Sequence, residues 1–182
     1  LFISASNFLK SGSSKSTSGN SLRASSMFKL STFLAPRVAS SMKSDLNASK
    51  SLLLIFWGLA VDFLDNGGGS GEEACDYCQG KRDPRSSDNP DKAIISLKND
   101  RETEYKIYIA VQNELVAAYN ELRNREFSRL NPNLGISYVD ADLIYSDPRT
   151  SADDKASLKE KLDVVKKLYP QKLSEAEPSK VN

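Results

Sequence analysis

The chain has 182 residues, of which 39% are hydrophobic and 27% are charged, which suits one medium globular domain with a tail. Its formal net charge of +1 argues against a general nucleic-acid-binding protein, because neutralising phosphates requires a concentrated basic surface. The sequence contains no histidine, which excludes Ser-His-Asp catalysis, Cys-His catalysis and histidine-ligated metal sites.

The charge is divided unevenly along the chain. Residues 1–51 carry seven Lys/Arg and a single acid, Asp45, so this block has a net charge of +6 and the remainder −5. The block also contains sixteen serines and shows no sustained helical or alternating periodicity. Such a composition favours a disordered tail, since it buries too little apolar surface to offset chain entropy. A transit peptide or a stretch translated out of frame are the alternatives, and we assign residues 1–57 no function.

Residues 52–64 are the most apolar stretch of the chain, although they include an aspartate. A membrane-spanning helix needs about 20 apolar residues, so this stretch is too short to cross a bilayer unaided. We expect an amphipathic helix that the three glycines at positions 67–69 terminate. The positions predicted to be buried are Phe56, Leu59 and Phe63, and those predicted to face solvent are Asp62 and Asp65.

Both cysteines of the chain, Cys75 and Cys78, lie in one acid-flanked C-x-x-C segment. A zinc site would need two further ligands, and no other cysteine or histidine can supply them. Thioredoxin-like chemistry requires a lowered thiol pKa at a helix N-terminus after a strand, whereas nearby acids raise a thiol pKa. We favour a local Cys75–Cys78 disulfide that braces a polar excursion in an oxidising compartment. Residues 81–90, with two prolines and almost no apolar side chain, are predicted to be an exposed connection.

A strand followed by a helix is predicted next. Residues 92–98 form a short apolar run bounded by turn residues, which indicates a strand covered on at least one face, and residues 99–103 form the turn that follows. Apolar side chains then recur at helical spacing and must cover the sheet. This stripe consists of Tyr108, Val111, Leu115, Ala118, Tyr119 and Leu122. The opposite, solvated face is predicted to carry Gln112, Asn113, Glu114, Asn120, Glu121 and Arg123, and Glu102 and Glu104 are assigned to solvent rather than to catalysis.

The C-terminal part predicts one further helix. The pattern loosens after Pro132, through Tyr138 and Tyr145, and Ser151 is the expected N-cap, with Asp154 three residues later. The apolar stripe of this helix is Leu158, Leu162, Val165 and Tyr169, and Pro170 ends it. Residues 171–178 are too few to classify alone.

Several of these segments, in this order, are similar to the periplasmic region of ExbD/TolR-type biopolymer transporters from Bacteroidetes. The segments are residues 91–101, 108–115 and 118–123. Residues 169–178 resemble the C-terminal ending of the same group, and residues 60–69 with the Cys75/Cys78 loop resemble the flavobacterial form of the preceding helix and insertion. The resemblance covers about residues 58–182 and is most specific between positions 91 and 123.

The resemblance implies an α+β fold, a small two-layer periplasmic domain with helices packed on one face of a β-sheet. It also implies a homodimer anchored in the inner membrane that contacts an ExbB-like ring and a TonB-like protein, and that helps the proton gradient drive outer-membrane transport. No enzyme activity, metal, cofactor or nucleic acid is implied. The transmembrane helix and its proton-carrying aspartate have no counterpart in residues 1–57, and Asp62 is not assigned that role.

Two other functions remain open from the sequence. A periplasmic thiol-disulfide oxidoreductase would use Cys75 and Cys78 as its reactive pair. A freestanding cell-envelope protein would bind the cell wall through the region 58–182.

Overall fold

The structure is a computed structural model that describes residues 2–7, 46–98 and 104–176, with side chains described for residues 50–98 and 104–175. The elements in chain order are β1 (Phe2–Asn7), α1 (Leu46–Leu64), a short 3-10 turn (Gly71–Glu73), β2 (Ala93–Lys98), α2 (Tyr105–Leu130), α3 (Tyr138–Ser146), α4 (Ala152–Leu168) and β3 (Leu173–Ala176). This combination of helices with a small sheet confirms the predicted α+β class. The predicted turn at residues 99–103 and Glu102 lie outside the described residues, as does most of the Ser-rich block.

The three strands form one sheet in the order β1-β2-β3. β1 runs antiparallel to β2, with Phe2 opposite Lys98, and β3 runs parallel to it, with Leu173 opposite Ile95. Along β2 the side chains alternate between buried and half-buried, because successive residues of a strand point to opposite faces. The predicted strand at residues 92–98 is therefore confirmed, while β1 and β3 were not predicted.

The main apolar core lies between β2 and α2. The buried face of β2 packs into the same cluster as the stripe of α2, as the spacing of that stripe predicted. The members from these two elements are Ala93, Ile95, Leu97, Val111, Leu115, Ala118, Tyr119 and Leu122, with Tyr108 partly buried beside them. Full burial of one such aliphatic side chain contributes about 1.5–3 kcal/mol, so this cluster is the main apolar support of the fold.

Helix α1 lies against the same core, with a face that matches the prediction at Phe56 and Phe63 but not at Leu59. Ala60 and Leu64 are its buried residues, and Phe56 and Phe63 pack partly against the cluster. Leu59, predicted to be buried, is 37% exposed, because its side chain points away from the helix face that Phe56, Ala60 and Phe63 share. α1 also begins at Leu46 and so crosses position 57, where the sequence analysis divides the chain.

The end of α1 carries a second correction. The helix stops at Leu64, and Gly67 adopts a φ of +64°, which confirms that the glycines end it. Asp65, predicted to face solvent, is only 5% exposed. It is buried because its carboxylate is paired with Arg125 of α2, which lies sixty positions further along the chain.

A second, smaller apolar cluster forms where α3 and α4 pack on the C-terminal part of α2. Its buried residues are Phe127, Tyr138, Ala141, Leu158, Leu162 and Val165. Three residues of the stripe predicted for α4 lie in this cluster, whereas the fourth, Tyr169, is buried in the main core just after the helix ends. The predicted N-cap is confirmed, since the Ser151 side chain accepts a hydrogen bond from the Asp154 N–H. Helix α3 was not predicted, although Ser137 and Asp140 form a reciprocal capping box at its start.

Two further expectations are wrong. Arg123 was placed on the solvated face of α2 but is 8% exposed, because its guanidinium lies over the rings of Tyr119 and Tyr138. Residues 81–90 are not an exposed connection throughout, since Ser87 and Pro90 are buried. The loop folds back onto the end of α1 and is held there by hydrogen bonds.

Candidate functional site

The outer side of β3 is the candidate site, because β3 is the last strand of the sheet in the order of the described strands. The carbonyl oxygen of Lys172 accepts a hydrogen bond of 3.0 Å from the Ile95 N–H of β2. Alternate residues of a strand direct their backbone groups to opposite sides. Because Lys172 and Ser174 face β2, the backbone N–H and C=O groups of Leu173 and Glu175 face outward. These outward groups are called the β3 edge below.

The Glu175 side chain of this edge is held by α2. Its Oε1 atom accepts a hydrogen bond from the Tyr108 hydroxyl and one of 2.9 Å from Gln112 Nε2. Gln112 Nε2 also donates to the Tyr108 hydroxyl oxygen at 2.7 Å. The hydrogen bond to Glu175 raises the pKa of Tyr108 above its ordinary value, since the phenol proton is shared with a carboxylate. The edge is therefore attached to the helix layer by side chains as well as to β2 by its backbone.

The connection between α4 and β3 is held by two buried side chains of α2. The Arg123 guanidinium donates to the carbonyl oxygen of Tyr169 from Nε at 3.0 Å and from Nη2 at 2.8 Å. The Lys172 N–H donates to the Tyr119 hydroxyl at 3.3 Å. Burial raises the pKa of Tyr119 to about 12, so this hydroxyl stays protonated at neutral pH. Both ends of the short connection are consequently set by α2.

A buried polar network lies on the other side of Tyr169. Arg125 makes a bidentate pair with Asp65, at 2.6 Å from Nη1 and 2.8 Å from Nη2. The Tyr169 hydroxyl donates to Asp65 Oδ1 at 2.6 Å and accepts from Arg125 Nη2 at 2.8 Å. These three side chains join the end of α1, α2 and the end of α4, three elements that are distant in sequence.

The electrostatics of this network favour the charged carboxylate. Burial alone would raise the pKa of Asp65, but the hydrogen bonds from Arg125 and Tyr169 outweigh it and lower that pKa. The hydrogen bond to Asp65 raises the pKa of Arg125, and burial together with Asp65 raises the pKa of Tyr169. The arrangement therefore holds an ion pair and a protonated phenol in fixed positions, and neither group is poised to exchange a proton near neutral pH.

Glu126 is a second buried carboxylate beside this network. It is fully buried, and its two oxygens accept hydrogen bonds from Arg125 Nε at 3.1 Å and Arg129 Nε at 2.6 Å. Two guanidinium groups thus compensate its charge, as the burial of a carboxylate requires. The predicted solvated glutamates behave differently, since Glu104 and Glu121 are exposed and Glu114 is half-buried.

The cysteine loop packs against the same region. Cys75 and Cys78 are joined by a disulfide, and both are almost fully buried. The 3-10 turn precedes them and irregular chain follows up to β2, so the pair starts no helix and follows no strand. A reactive C-x-x-C pair needs an accessible sulfur at a helix N-terminus, and this placement provides neither feature.

Tyr77, between the two cysteines, connects the loop to the end of α4. Its hydroxyl donates to the carbonyl oxygen of Leu168 at 3.0 Å and lies 3.3 Å from Asn89 Oδ1. Its ring meets that of Tyr169 edge to face, with 5.5 Å between centroids. Burial raises the pKa of Tyr77, so its hydroxyl is a donor throughout the physiological range.

Asn66 holds the rest of the loop and was not noticed in the sequence. Its Nδ2 donates to the carbonyl oxygens of Asp83 at 2.9 Å and Ser87 at 2.7 Å, and its Oδ1 accepts from the Asp83 N–H at 3.1 Å. One side chain thereby satisfies three backbone groups about twenty positions away. Side-chain periodicity in the sequence does not predict this arrangement, because the partners of Asn66 are backbone atoms.

A separate exposed apolar surface lies on α1, where Leu54 is 64% and Ile55 is 54% exposed. No helix among the described residues combines the length and the hydropathy needed to cross a bilayer. Within residues 50–98 and 104–175, His, Cys, Asp and Glu side chains also form no cluster suited to a metal ion.

No protein-family model matches the chain, and neither a curated protein nor a solved structure is significantly similar to it.

Proposed function

We propose that this chain is an ExbD-like component of an energy-transducing system at the inner membrane, acting as a partner-binding module that faces the periplasm. Its partners would be an ExbB-like ring protein and a TonB-like protein, with the proton gradient as the source of energy. The observation that carries the proposal is the β3 edge, a short outer strand whose neighbouring segments are attached to α2 by several hydrogen bonds.

An edge of this kind suits a protein that transmits force rather than one that performs chemistry. An outer strand can accept an extended peptide as an additional strand, with backbone hydrogen bonds providing affinity. Force applied to such a peptide would reach α2 through Arg123, Tyr119 and the Glu175 side chain. The order of segments that resemble ExbD in the sequence supports the same assignment, because β2, α2 and β3 all fall within it.

The docking test uses Glu175→Pro in the full chain. Proline removes an outward N–H of the edge but no hydrogen bond to β2, and it is tolerated on outer strands. We expect binding of a TonB-type periplasmic domain, measured by calorimetry, to weaken at least about tenfold, the equivalent of one lost net hydrogen bond at the upper end of its usual range.

The matched control is Glu175→Ala, which removes the contacts to Tyr108 and Gln112 but keeps the outward N–H. It should bind nearly as well as the unmodified chain. Equal binding by the proline variant and the unmodified chain would contradict docking at the β3 edge.

The ring association is tested separately by co-expression. Residues 46–182, which keep α1 whole, would be fused to a transmembrane helix of an authentic ExbD and purified with an ExbB-like ring. Co-purification is expected with the fusion and not with the transmembrane helix joined to an unrelated periplasmic domain of similar size. If the fusion does not retain the ExbB-like ring during purification, that result would contradict the family assignment.

A further inference from the structure

The disulfide is joined to the β3 edge by a continuous set of contacts through Tyr77. Tyr77 lies between Cys75 and Cys78 in the sequence, so the disulfide between them restricts its position. Its hydroxyl holds the Leu168 carbonyl and its ring packs on Tyr169. Leu168 ends α4, and β3 begins five positions later, at Leu173. The residue that the bridge constrains is thus the one that fixes the start of the connection to β3.

The two sulfur atoms of the disulfide also have little room to separate in the folded protein. A Cβ placed on Gly67 would be 2.7 Å from Cys78 Cβ and 3.7 Å from Cys75 Cβ, so Cys78 packs closely against the backbone just after α1 and Cys75 lies near it. Two thiols cannot approach as closely as two bonded sulfurs, because unbonded sulfur atoms are held apart at van der Waals distance. Reduction therefore requires the loop to move away from α1, and Tyr77 moves with it.

We infer that the Cys75–Cys78 disulfide is a thiol-controlled lock on the β3 edge. A dithiol reductant that reaches a sulfur when the loop opens locally would break the S–S bond. It gives two electrons and two protons to form the Cys75 and Cys78 thiols and becomes a disulfide itself. Tyr77 then releases Leu168, and the connection to β3 loosens. Oxidised protein presents an ordered edge to its partner, and reduced protein presents a mobile one. The physiological meaning of the lock rests on the proposed docking function, but its mechanical part does not.

Hydrogen exchange on the full chain tests the mechanical part without any partner. The protein would be compared before and after incubation with dithiothreitol, with thiol titration to confirm the redox state. We expect the inward-facing amides of Lys172 and Ser174 to exchange on the order of tenfold faster after reduction, the effect of losing one net hydrogen bond at the upper end of its usual range. Amides in the middle of α2 should not change.

The variant Tyr77→Phe separates coupling from general loosening. It keeps the ring contact with Tyr169 but lacks the hydroxyl that holds Leu168. Its β3 amides should already exchange faster in the oxidised state, and reduction should add little to them while still loosening residues 74–80. The variant Asn89→Ala is the control, since it removes the weaker partner of the same hydroxyl together with the exposed contact to the Asp91 N–H, and it should leave the redox response intact.

Three outcomes would overturn the lock. One is faster exchange confined to residues 74–80, with β3 unchanged on reduction. Another is a disulfide that dithiothreitol does not reduce in the folded protein. The third is an unaltered redox response of β3 in Tyr77→Phe. Failure of a TonB-type domain to bind would affect only the docking proposal, because the exchange measurement is made on the chain alone.

Discussion

The core between β2 and α2 and the loop between α1 and β2 are held by different interactions. In the core, apolar side chains recur at regular spacing and bury one another. In the loop, residues 65–92 are held by Asp65, Asn66 and backbone groups, and Cys78 packs closely against Gly67. Apolar contacts in the core are non-directional, whereas each polar contact of the loop depends on one specific pair of atoms. Substitutions in the two regions should therefore differ in size, pH dependence and sensitivity to a single methyl group.

The largest effect is expected in the core. Leu115→Ala should lower the free energy of unfolding by about 3–4 kcal/mol, since it removes buried methyl groups and leaves a cavity. Urea unfolding followed by circular dichroism measures the change. The control Leu143→Ala, at a side chain that is 65% exposed, should cost far less. A similar loss for both variants would mean that the β2–α2 cluster is not the main apolar support.

The buried ion pair should give the next effect, and one that depends on pH. Asp65→Asn should destabilise the protein by about 2–3 kcal/mol at pH 7, somewhat less than for a fully buried pair because the Arg125 side chain remains 27% exposed. The folded state lowers the pKa of Asp65 from its ordinary value of 3.8, so its contribution is complete above that value. It is lost as the pH falls through the lower, folded pKa.

Unfolding curves at several pH values measure this linkage. The stabilities of the unmodified chain and Asp65→Asn should converge on strong acidification. Asp62→Asn is the control, because Asp62 pairs with Lys81 on the surface and both side chains are largely exposed. A constant difference between the unmodified chain and Asp65→Asn at every pH would contradict the stabilising role of the carboxylate charge.

The smallest effects are expected from adding a single methyl group, which should act differently in the loop and in α1. A Cβ on Gly68 would lie 2.3 Å from the Asp83 carbonyl oxygen, so Gly68→Ala should cost about 1–3 kcal/mol as the loop shifts. Gly58, within α1, has nothing within 4 Å of the same position, and Gly58→Ala should stabilise the chain by about 0.5–1 kcal/mol. Thermal unfolding compares the two. Equal effects would mean that the loop is not closely packed on the end of α1.

Sequence reasoning predicted the elements whose support is local and periodic. The stripes of α2 and α4 and the strand at β2 follow from side-chain spacing, and the Ser151 cap follows from a short motif. The face of α1 was misjudged by one position, because Leu59 and Ala60 differ by only 100° around the helix and the hydrophobic pattern alone does not favour Ala60. Helix α3 was missed because it is only nine residues long and Leu143 and Ile144 lie on its exposed side.

Most of the candidate site could not be predicted from local patterns in the sequence. β3 has four residues, and its place beside β2 depends on hydrogen bonds to a strand almost eighty positions earlier. Arg123 was assigned to solvent because its charge is visible in the sequence, whereas the Tyr169 carbonyl that receives it is not. The proposed docking function and the ExbD resemblance remain predictions, which the binding experiments address.

The order of residues along the chain is enough to specify an α+β domain with an amphipathic helix over a strand, because apolar periodicity acts between near neighbours and needs no knowledge of the partner. Only folding in three dimensions decides which charges are buried and where the outer strand lies. Asp65 meets Arg125, Asn66 meets the backbone of Ser87, and Tyr77 meets Leu168 across separations that no local pattern records. Polar contacts are short-ranged and directional, so they are specified by the final positions of atoms and not by the types of residues alone.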